Sequence, residues 1–449
     1  MNEDEDVARA LRAAVPIPEV PAGLLEGARR RRAARRRTGV VAGGAVAAVV
    51  AAALILPTLP LAPDPTLGGG GGGGMPEVGP VLTLDYRTTD GVAVAARASE
   101  ALAWTAVQAG TTANRLVSPS SLAQSLATAA EGARGASLAS ADEALGLSGE
   151  ERSRAYGALR QSLAAFDAPP ATVDQADPPA VPVAHLANRI VAVESPIAPD
   201  FLQALGRYFG TQAIDVGQRT AQETLDAWVR EESGGLIERS GVEVSPATRL
   251  VLQDAVFFAA AWRAPLNEAR GTFDAPTGPV EADFLVGRVT ARYAEGARWT
   301  AARLPYGDPF AMDVILPAEG IATQDLTAAD LDAAGAALDD APEQEGAVWM
   351  PALDLAVKTD LRAALPAVDL TDLSGMAPDM TAGAWVQQAR LRVTAQGTVG
   401  AAVTELEITA SGAVDRPSIK VTRPYVLRVL DTRTGWPLFL GAVSDPTAP

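Results

Sequence analysis

The order of its hydrophobic patterns predicts an α+β fold for this chain of 449 residues. Apolar residues at spacings of three and four, the helical signature, gather in the first half. Runs rich in β-branched and aromatic residues, the strand signature, come late. No unit of about 20–50 residues repeats, and the patterns do not alternate as they would around a parallel sheet. The helical segments are 121–130, 150–166, 200–209 and 224–230. Asp200, directly after Pro199, supplies a helix start. Strand patterning covers 249–261, 310–316, 386–394, 419–430 and 437–443. Segments 136–147 and 325–342, rich in alanine and acids, read as surface. With 48% apolar residues the chain can bury a substantial core.

Charge divides the chain unevenly. Lys+Arg total 37 against 54 Asp+Glu, a net charge of −17, which argues against a nucleic-acid partner. Residues 1–37 nevertheless carry nine arginines and six acids, a balance of +3, so the remainder carries −20. The cluster Arg29–Arg32 and Arg35–Arg37 abuts residues 38–62, which hold no charge. About 20 apolar residues cross a bilayer core, and arginine ahead of the span places that end in the cytoplasm. The expected organisation is therefore a cytoplasmic basic segment 1–37, a transmembrane helix 38–62, a linker 63–80 and one exported domain 81–449. A cleaved secretory signal is the alternative. The linker contains seven consecutive glycines, Gly68–Gly74, too flexible to pack a core. As a coil it reaches roughly 25 Å. It lacks the Gly-Lys-Ser/Thr of a phosphate loop. The Ala-, Arg- and Gly-rich bias, with two lysines, is that of a GC-rich bacterial genome.

Familiar enzyme chemistry is scarce. Without cysteine there is no thiol nucleophile, disulfide or cysteine–zinc site. One histidine, His185, rules out a His-based metal cluster and lies in an apolar extended stretch as a structural residue. No Gly-x-Ser-x-Gly, Ser-x-x-Lys or His-Glu-x-x-His occurs. The acid pairs Glu231/Glu232 and Asp339/Asp340 read as solvated faces. No cofactor is expected.

One segment departs from ordinary patterning. Between the strand-like 386–395 and 419–430, residues 397–418 read GTVGAAVTELEITASGAVDRPS. A connection of this length inside a compact domain is unusual and often functional. Its alternate residues Thr398, Gly400, Ala402, Thr404, Leu406 and Ile408 form one face; Glu405 and Glu407 lie on the other. The pattern is that of a half-buried strand with small residues at its start. An ordinary sheet strand is the plain alternative.

These residues resemble the hinge of the serpin family, a glycine, a threonine, an acid and then alanines. Here the hinge is Gly397, Thr398, Val399, Gly400, Ala401 and Ala402. Further serpin-like motifs follow in order across 81–449: NRLVSPSSLAQSLATAAEGARG (114–135), HLANRIVA (185–192), LDAWVREESGGLI (225–237) and LVLQDAVFFAAAW (250–262). LPYGDPFAMDVILP (304–317), DLTDLSGM (369–376) and RPYVLRVLDTRTGWPLFLGAVSDP (423–446) complete the set. The resemblance implies about nine helices, three sheets and an exposed reactive-centre loop that enters the largest sheet. It implies a monomer that inhibits a target serine protease through a covalent acyl complex. A non-inhibitory binding module on the same fold is the alternative.

Family spacing from Gly397 places the reactive bond at Ser411–Gly412, and counting back from Pro417 places it at Ala413–Val414. The candidates are thus Ala410, Ser411, Gly412, Ala413 and Val414, all small, which suggests an elastase- or subtilisin-like target. Trp262 matches the tryptophan at the top of the sheet. The family's shutter of serine, asparagine and histidine maps onto Ser118, Ser121, Asp254 and Gln387. Here an acid and an amide replace the usual asparagine and histidine, a pair that can still bond to each other. Val399 and Ala395 stand where the family commonly has acids. The hinge is expected to be exposed before cleavage.

Overall fold

The computed structural model describes residues 80–398 and 417–448. The proposed basic segment, the span 38–62 and nearly all of the linker lie outside the described residues. Among the described residues no helix is long and apolar enough to cross a membrane. Eight α-helices occur there: α1 Val92–Ala109, α2 Pro119–Gly132, α3 Gly135–Leu145, α4 Gly149–Ser162, α5 Pro199–Phe209, α6 Ala221–Glu232, α7 Ala328–Asp340 and α8 Leu361–Ala364. The strands are β1 Arg115–Val117, β2 Val183–Val193, β3 Gln212–Val216, β4 Leu250–Ala261, β5 Asn267–Ala275, β6 Gly278–Glu295, β7 Trp299–Pro305, β8 Phe310–Pro317, β9 Glu343–Pro351, β10 Leu353–Asp360, β11 Val386–Val393, β12 Gly397–Thr398, β13 Ser418–Lys420, β14 Tyr425–Asp431 and β15 Trp436–Val443. The two alanine- and acid-rich segments form α3 and α7; each still buries one leucine-bearing face.

The described strands form two hydrogen-bonded sheets. The larger has nine strands in the order β1-β15-β14-β8-β7-β6-β9-β13, with β5 paired to β6; the smaller runs β10-β11-β12-β4-β2-β3. The third sheet that the resemblance implies is continuous with the larger one among the described strands, because β6 pairs with β5, β9 and β7 in turn. Its 18 residues pair with β5 and β9 over most of their length and with β7 from Arg292 to Glu295. The apparent strand 419–430 is two strands, β13 parallel to β9 and β14 antiparallel to β8. Arg423 and Pro424 lie in the break, where proline's missing N–H cannot join a ladder.

Helix α2 lies against both sheets, touching β4 and β15. Its start is fixed locally. The Ser118 hydroxyl accepts a bond from the Ser121 N–H at 3.3 Å, and Pro119 occupies the first turn. On its apolar face Leu122 and Leu126 are at most 1% exposed.

A chain of charges crosses the core of the larger sheet. Arg428 of β14 donates to Asp313 of β8 at 2.6 and 3.1 Å and to Glu100 of α1. Arg303 of β7 grips Asp313 at 2.7 and 3.0 Å and reaches Asp339 of α7. Burial would raise the Asp313 pKa, but two guanidinium groups outweigh it and hold the carboxyl below the usual range. Glu100, also buried but with one arginine, is pushed up by burial. Asp339 and Asp340 lie on a solvated face as expected, and Asp339 also pairs with Arg303 from there.

Candidate functional site

Among the described residues, the smaller sheet has no strand between β4 and β11 along most of their length. β4 and β11 are not hydrogen-bonded neighbours; among the described residues the two-residue β12 alone lies between them. There Gly397 pairs with Ala261, and Thr398 pairs with Ala260 on one side and Val393 on the other. Below β12 the position opens into a cavity of about 600 Å³. Its sides are β4 from Leu250 to Val256 and β11 from Val386 to Arg390, and α2 forms its floor. The connection from α6 to β4 forms its roof, with Ser240–Glu243 in the lining. Gly241 lies so close that an added Cβ would sit 2.8 Å from Val386 Cγ1.

The hinge residues at the top are seated, not exposed. Thr398 is 1% exposed, and its hydroxyl shares a 2.6 Å hydrogen bond with the Tyr306 hydroxyl. An added Cβ at Gly397 would stand 2.2 Å from the Ala260 carbonyl oxygen, so only glycine permits this approach. Trp262 closes the corner. Its indole stacks on Tyr306 at 4.3 Å, and its Nε1 donates to the Thr394 carbonyl at 2.8 Å. The expectation of an exposed hinge fails at Gly397 and Thr398 because β4, β11 and Tyr306 already supply partners for them. Val399, Gly400, Ala401 and Ala402, and the reactive-bond candidates Ala410, Ser411, Gly412, Ala413 and Val414, lie outside the described residues.

The shutter residues meet at the floor, though not as expected. The Gln387 side chain clasps the backbone of Ser118, accepting from its N–H at 2.8 Å and donating to its carbonyl at 3.0 Å. Ser121 lines the same cavity. Asp254 does not bond to Gln387: its Oδ1 has no hydrogen-bond partner, and Ser125 is the hydroxyl beside it. Among the described residues β4 and β11 are not paired with each other, so Asp254 and Gln387 lie on opposite sides of the cavity. Burial pushes the Asp254 carboxyl up to about 7, with Arg160 and Ser125 opposing.

Helix α6 is fastened over the outer face of β2 and β4. Arg189 donates to the Thr224 carbonyl at 2.8 Å and lies over the Trp228 ring at 4.9 Å. Gln253 donates to the Leu225 carbonyl at 3.2 Å. His185, structural as expected, bridges Asp167 at 2.5 Å and Glu232 at 2.7 Å. Glu232 is therefore a tie for the end of α6 rather than a solvated acid. Tyr306, Arg189 and Gln253 are absent from the sequence-based set. Tyr306 falls within the quoted LPYGDPF motif, but its partner is 92 residues away. Among the described residues no cluster of acids and histidine is arranged to hold a metal.

The arrangement is an α+β domain whose sheet keeps a strand position capped by a glycine-led hinge. Residues 98–446 match the serpin (serine protease inhibitor) family, and the chain belongs to that family. It is similar to the Protein Z-dependent protease inhibitor of Homo sapiens, 25% identical over 269 residues, or 55% of this chain and 60% of that protein. The match thus spans about three fifths of that relative's length. Leukocyte elastase inhibitor of Bos taurus is 27% identical over 370 residues, covering 74% of this chain and 93% of that one. Among solved structures, the thermophilic serpin tengpin in its native state is similar with a TM-score of 0.68 at 20% identity, covering 82% of this chain and 97% of that one. Thyroxine-binding globulin in complex with thyroxine has a TM-score of 0.67 at 18% identity, covering 80% and 99%. At such identities the structural likeness fixes the fold alone.

Proposed function

We propose that this serpin inhibits serine proteases by inserting its own cleaved loop into the slot between β4 and β11. The observation that supports this reading is the slot itself, started by Gly397–Thr398 and bordered by β4 and β11, with no strand of the described residues below β12. The protease serine attacks a loop carbonyl, the new ester forms, and the downstream segment leaves as an amine carrying the proton. The upstream segment, freed at one end, then extends β12 downwards and drags the acylated protease with it.

The register supports the length of the inserted strand. Each loop residue after Thr398 moves one residue back along β4 from Ala260. Ile408, the last apolar residue of the period-two face, then meets Leu250, the first residue of β4. On the same count Thr404 falls between Asp254 and Gln387. Burying Leu406 and Ile408 contributes roughly 3–6 kcal/mol. The small residues at 410–414 suit an elastase- or subtilisin-like target.

Mixing the protein with subtilisin- and elastase-like proteases tests the reading. The expected product is an SDS-stable complex, and cleavage within 410–414 should raise the thermal midpoint sharply as the new strand completes the sheet. Clean cleavage with an unchanged midpoint and full protease activity assigns the domain to the non-inhibitory reading.

The domain also faces outward from a membrane in this proposal, held by residues 38–62 with 1–37 in the cytoplasm. Support comes from the arginine cluster beside an uncharged apolar run. Protease added to intact cells should cut the 399–416 loop while an amino-terminal tag stays protected. Release into the medium with a new terminus near residue 63 rejects the anchor.

A further inference from the structure

His185 is the single histidine of the chain, and its ring is held from both sides. Nδ1 lies 2.5 Å from Asp167 Oδ1, and Nε2 lies 2.7 Å from Glu232 Oε2. An ionised carboxylate only accepts hydrogen bonds, and a neutral imidazole carries one N–H and one lone pair. Two carboxylate contacts therefore need a proton on each ring nitrogen. Imidazole is a stronger base than a carboxylate, so that extra proton belongs to the ring. The bridge is an imidazolium between two carboxylates, with a charge-assisted bond on each side.

The two acids come from segments that meet over the outer face of β2 and β4. Asp167 opens the segment 167–176, directly after the 3-10 turn Ala164–Phe166. Glu232 is the last residue of α6. Gln175 donates to the Gly234 carbonyl at 2.7 Å, and an added Cβ on Gly234 would lie 3.1 Å from Pro170 Cβ. His185 and Phe257 are register partners and project from the same face. Val173 and Leu236, one from each segment, pack with Val183 over the buried Phe257 and Ala259. The bridge thus clamps the free end of a small apolar cover. The other charges around it are Glu231 of α6, Arg189 of β2, which feels both Glu231 and Glu232, and Arg160 of α4, which feels Asp167. Asp174 and Asp177 follow further along the same segment, and Asp174 accepts from the Ala176 N–H. The turns Ala164–Phe166 and Pro170–Thr172 bring no charge.

We propose that this bridge is a pH-operated strap: the doubly protonated ring holds segment 167–176 down on β2 and β4, and loss of one ring proton as pH rises releases Asp167 and lifts the segment from Phe257. The bonded form carries the extra proton, so the strap is shut at low pH and opens as pH rises. Exposure decides which acid lets go. The Asp167 side chain is 53% exposed and that of Glu232 22%, so Asp167 turns to water at the smaller cost. The neutral ring keeps its one N–H for Glu232 and presents a lone pair to Asp167. His185 acts as a positioning residue, and the inference goes beyond protease inhibition: it holds whether or not the loop inserts.

The test compares the full-length parent with Asp167→Asn and His185→Phe. In Asp167→Asn the new amide accepts from the protonated ring and donates to the lone pair of the neutral one, so the strap stays shut at every pH. In His185→Phe neither acid has a partner, so it stays open. Amide hydrogen exchange of segment 167–176 is measured by mass spectrometry from about pH 6 to about pH 8.5, the span in which histidines change charge. Taking parent against Asp167→Asn at each pH cancels the pH dependence of the exchange chemistry. The ratio should be near one at the acid end and rise severalfold towards the alkaline end, while His185→Phe exchanges fast throughout. With labelled histidine, the single imidazole gives one NMR signal, and its deprotonation should run in step with that ratio. A ratio that stays flat across the range overturns the proposal. So does a ring that keeps both protons while the segment's exchange accelerates. If His185→Phe does not fold, the Asp167→Asn ratio and the ring signal still decide.

Discussion

Replacing Asp313 by alanine should destabilise the domain by ~3–5 kcal/mol, the largest stability loss expected from one core substitution here. Asp313 is 0% exposed and is the shared partner of Arg303 and Arg428, which are themselves 7% and 3% exposed. Removing it strands two guanidinium groups. Glu100 and Asp339 each hold one end of the chain, but neither replaces the central carboxylate. Typical domains have only about 5–15 kcal/mol in total, so a loss of this size leaves little folded protein at physiological temperature. Urea unfolding of parent and Asp313→Ala checks it; a midpoint shift corresponding to under about 1 kcal/mol would mean the arginines find other partners. The pH sign is the reverse of that at the His185 bridge. A depressed carboxyl contributes its stability above its ordinary value and loses it as pH falls through its lower folded value. The contribution of Asp313 should therefore persist through mildly acidic conditions.

Thr398→Arg should damage both the uncut protein and its reaction with a protease. From the sequence, an arginine at this hinge position is tolerated before cleavage and harmful only during insertion. The structure changes that expectation, because Thr398 is already 1% exposed and hydrogen-bonded to Tyr306 at 2.6 Å. A long cation there must either displace Tyr306 from its stack on Trp262 or push β12 out of the sheet. Burying an unpaired charge costs several kcal/mol, and expelling β12 removes the start of the inserting strand. The expected results are a lowered thermal midpoint before cleavage and conversion from inhibitor to substrate. Thr398→Ser, which keeps the hydroxyl, should restore most of both. An unchanged midpoint in Thr398→Arg would mean that the hinge leaves the sheet freely.

Much of this was legible in the sequence for a local reason. Periodicity reports which face of an element is buried, so β4, β8, β11 and β15 and the helices α2, α4, α5 and α6 appear within a few residues of their structural bounds. Capping was equally local, as Ser118 and Pro119 show at the start of α2. The long patterned connection after Thr394, set among motifs in serpin order, marked the functional segment and the family. Periodicity does not say who the partner is. It ran β13 and β14 together, although they pair with different strands. It also missed α1, which is apolar on nearly every turn and lacks an acidic or hydroxyl cap.

The sequence by itself determined the α+β class, the serpin family, the glycine-led hinge and the small residues that follow it. Only the tertiary structure decided that Thr398 is seated under Tyr306, that Gln387 clasps Ser118, and that Asp254 carries an unpartnered oxygen. Each of these depends on groups brought together from distant parts of the chain, 92 residues apart for Tyr306 and Thr398 and 269 for Ser118 and Gln387. Hydrogen bonds and charges act over a few ångströms, and sequence patterning carries no record of which distant groups folding will place within that range.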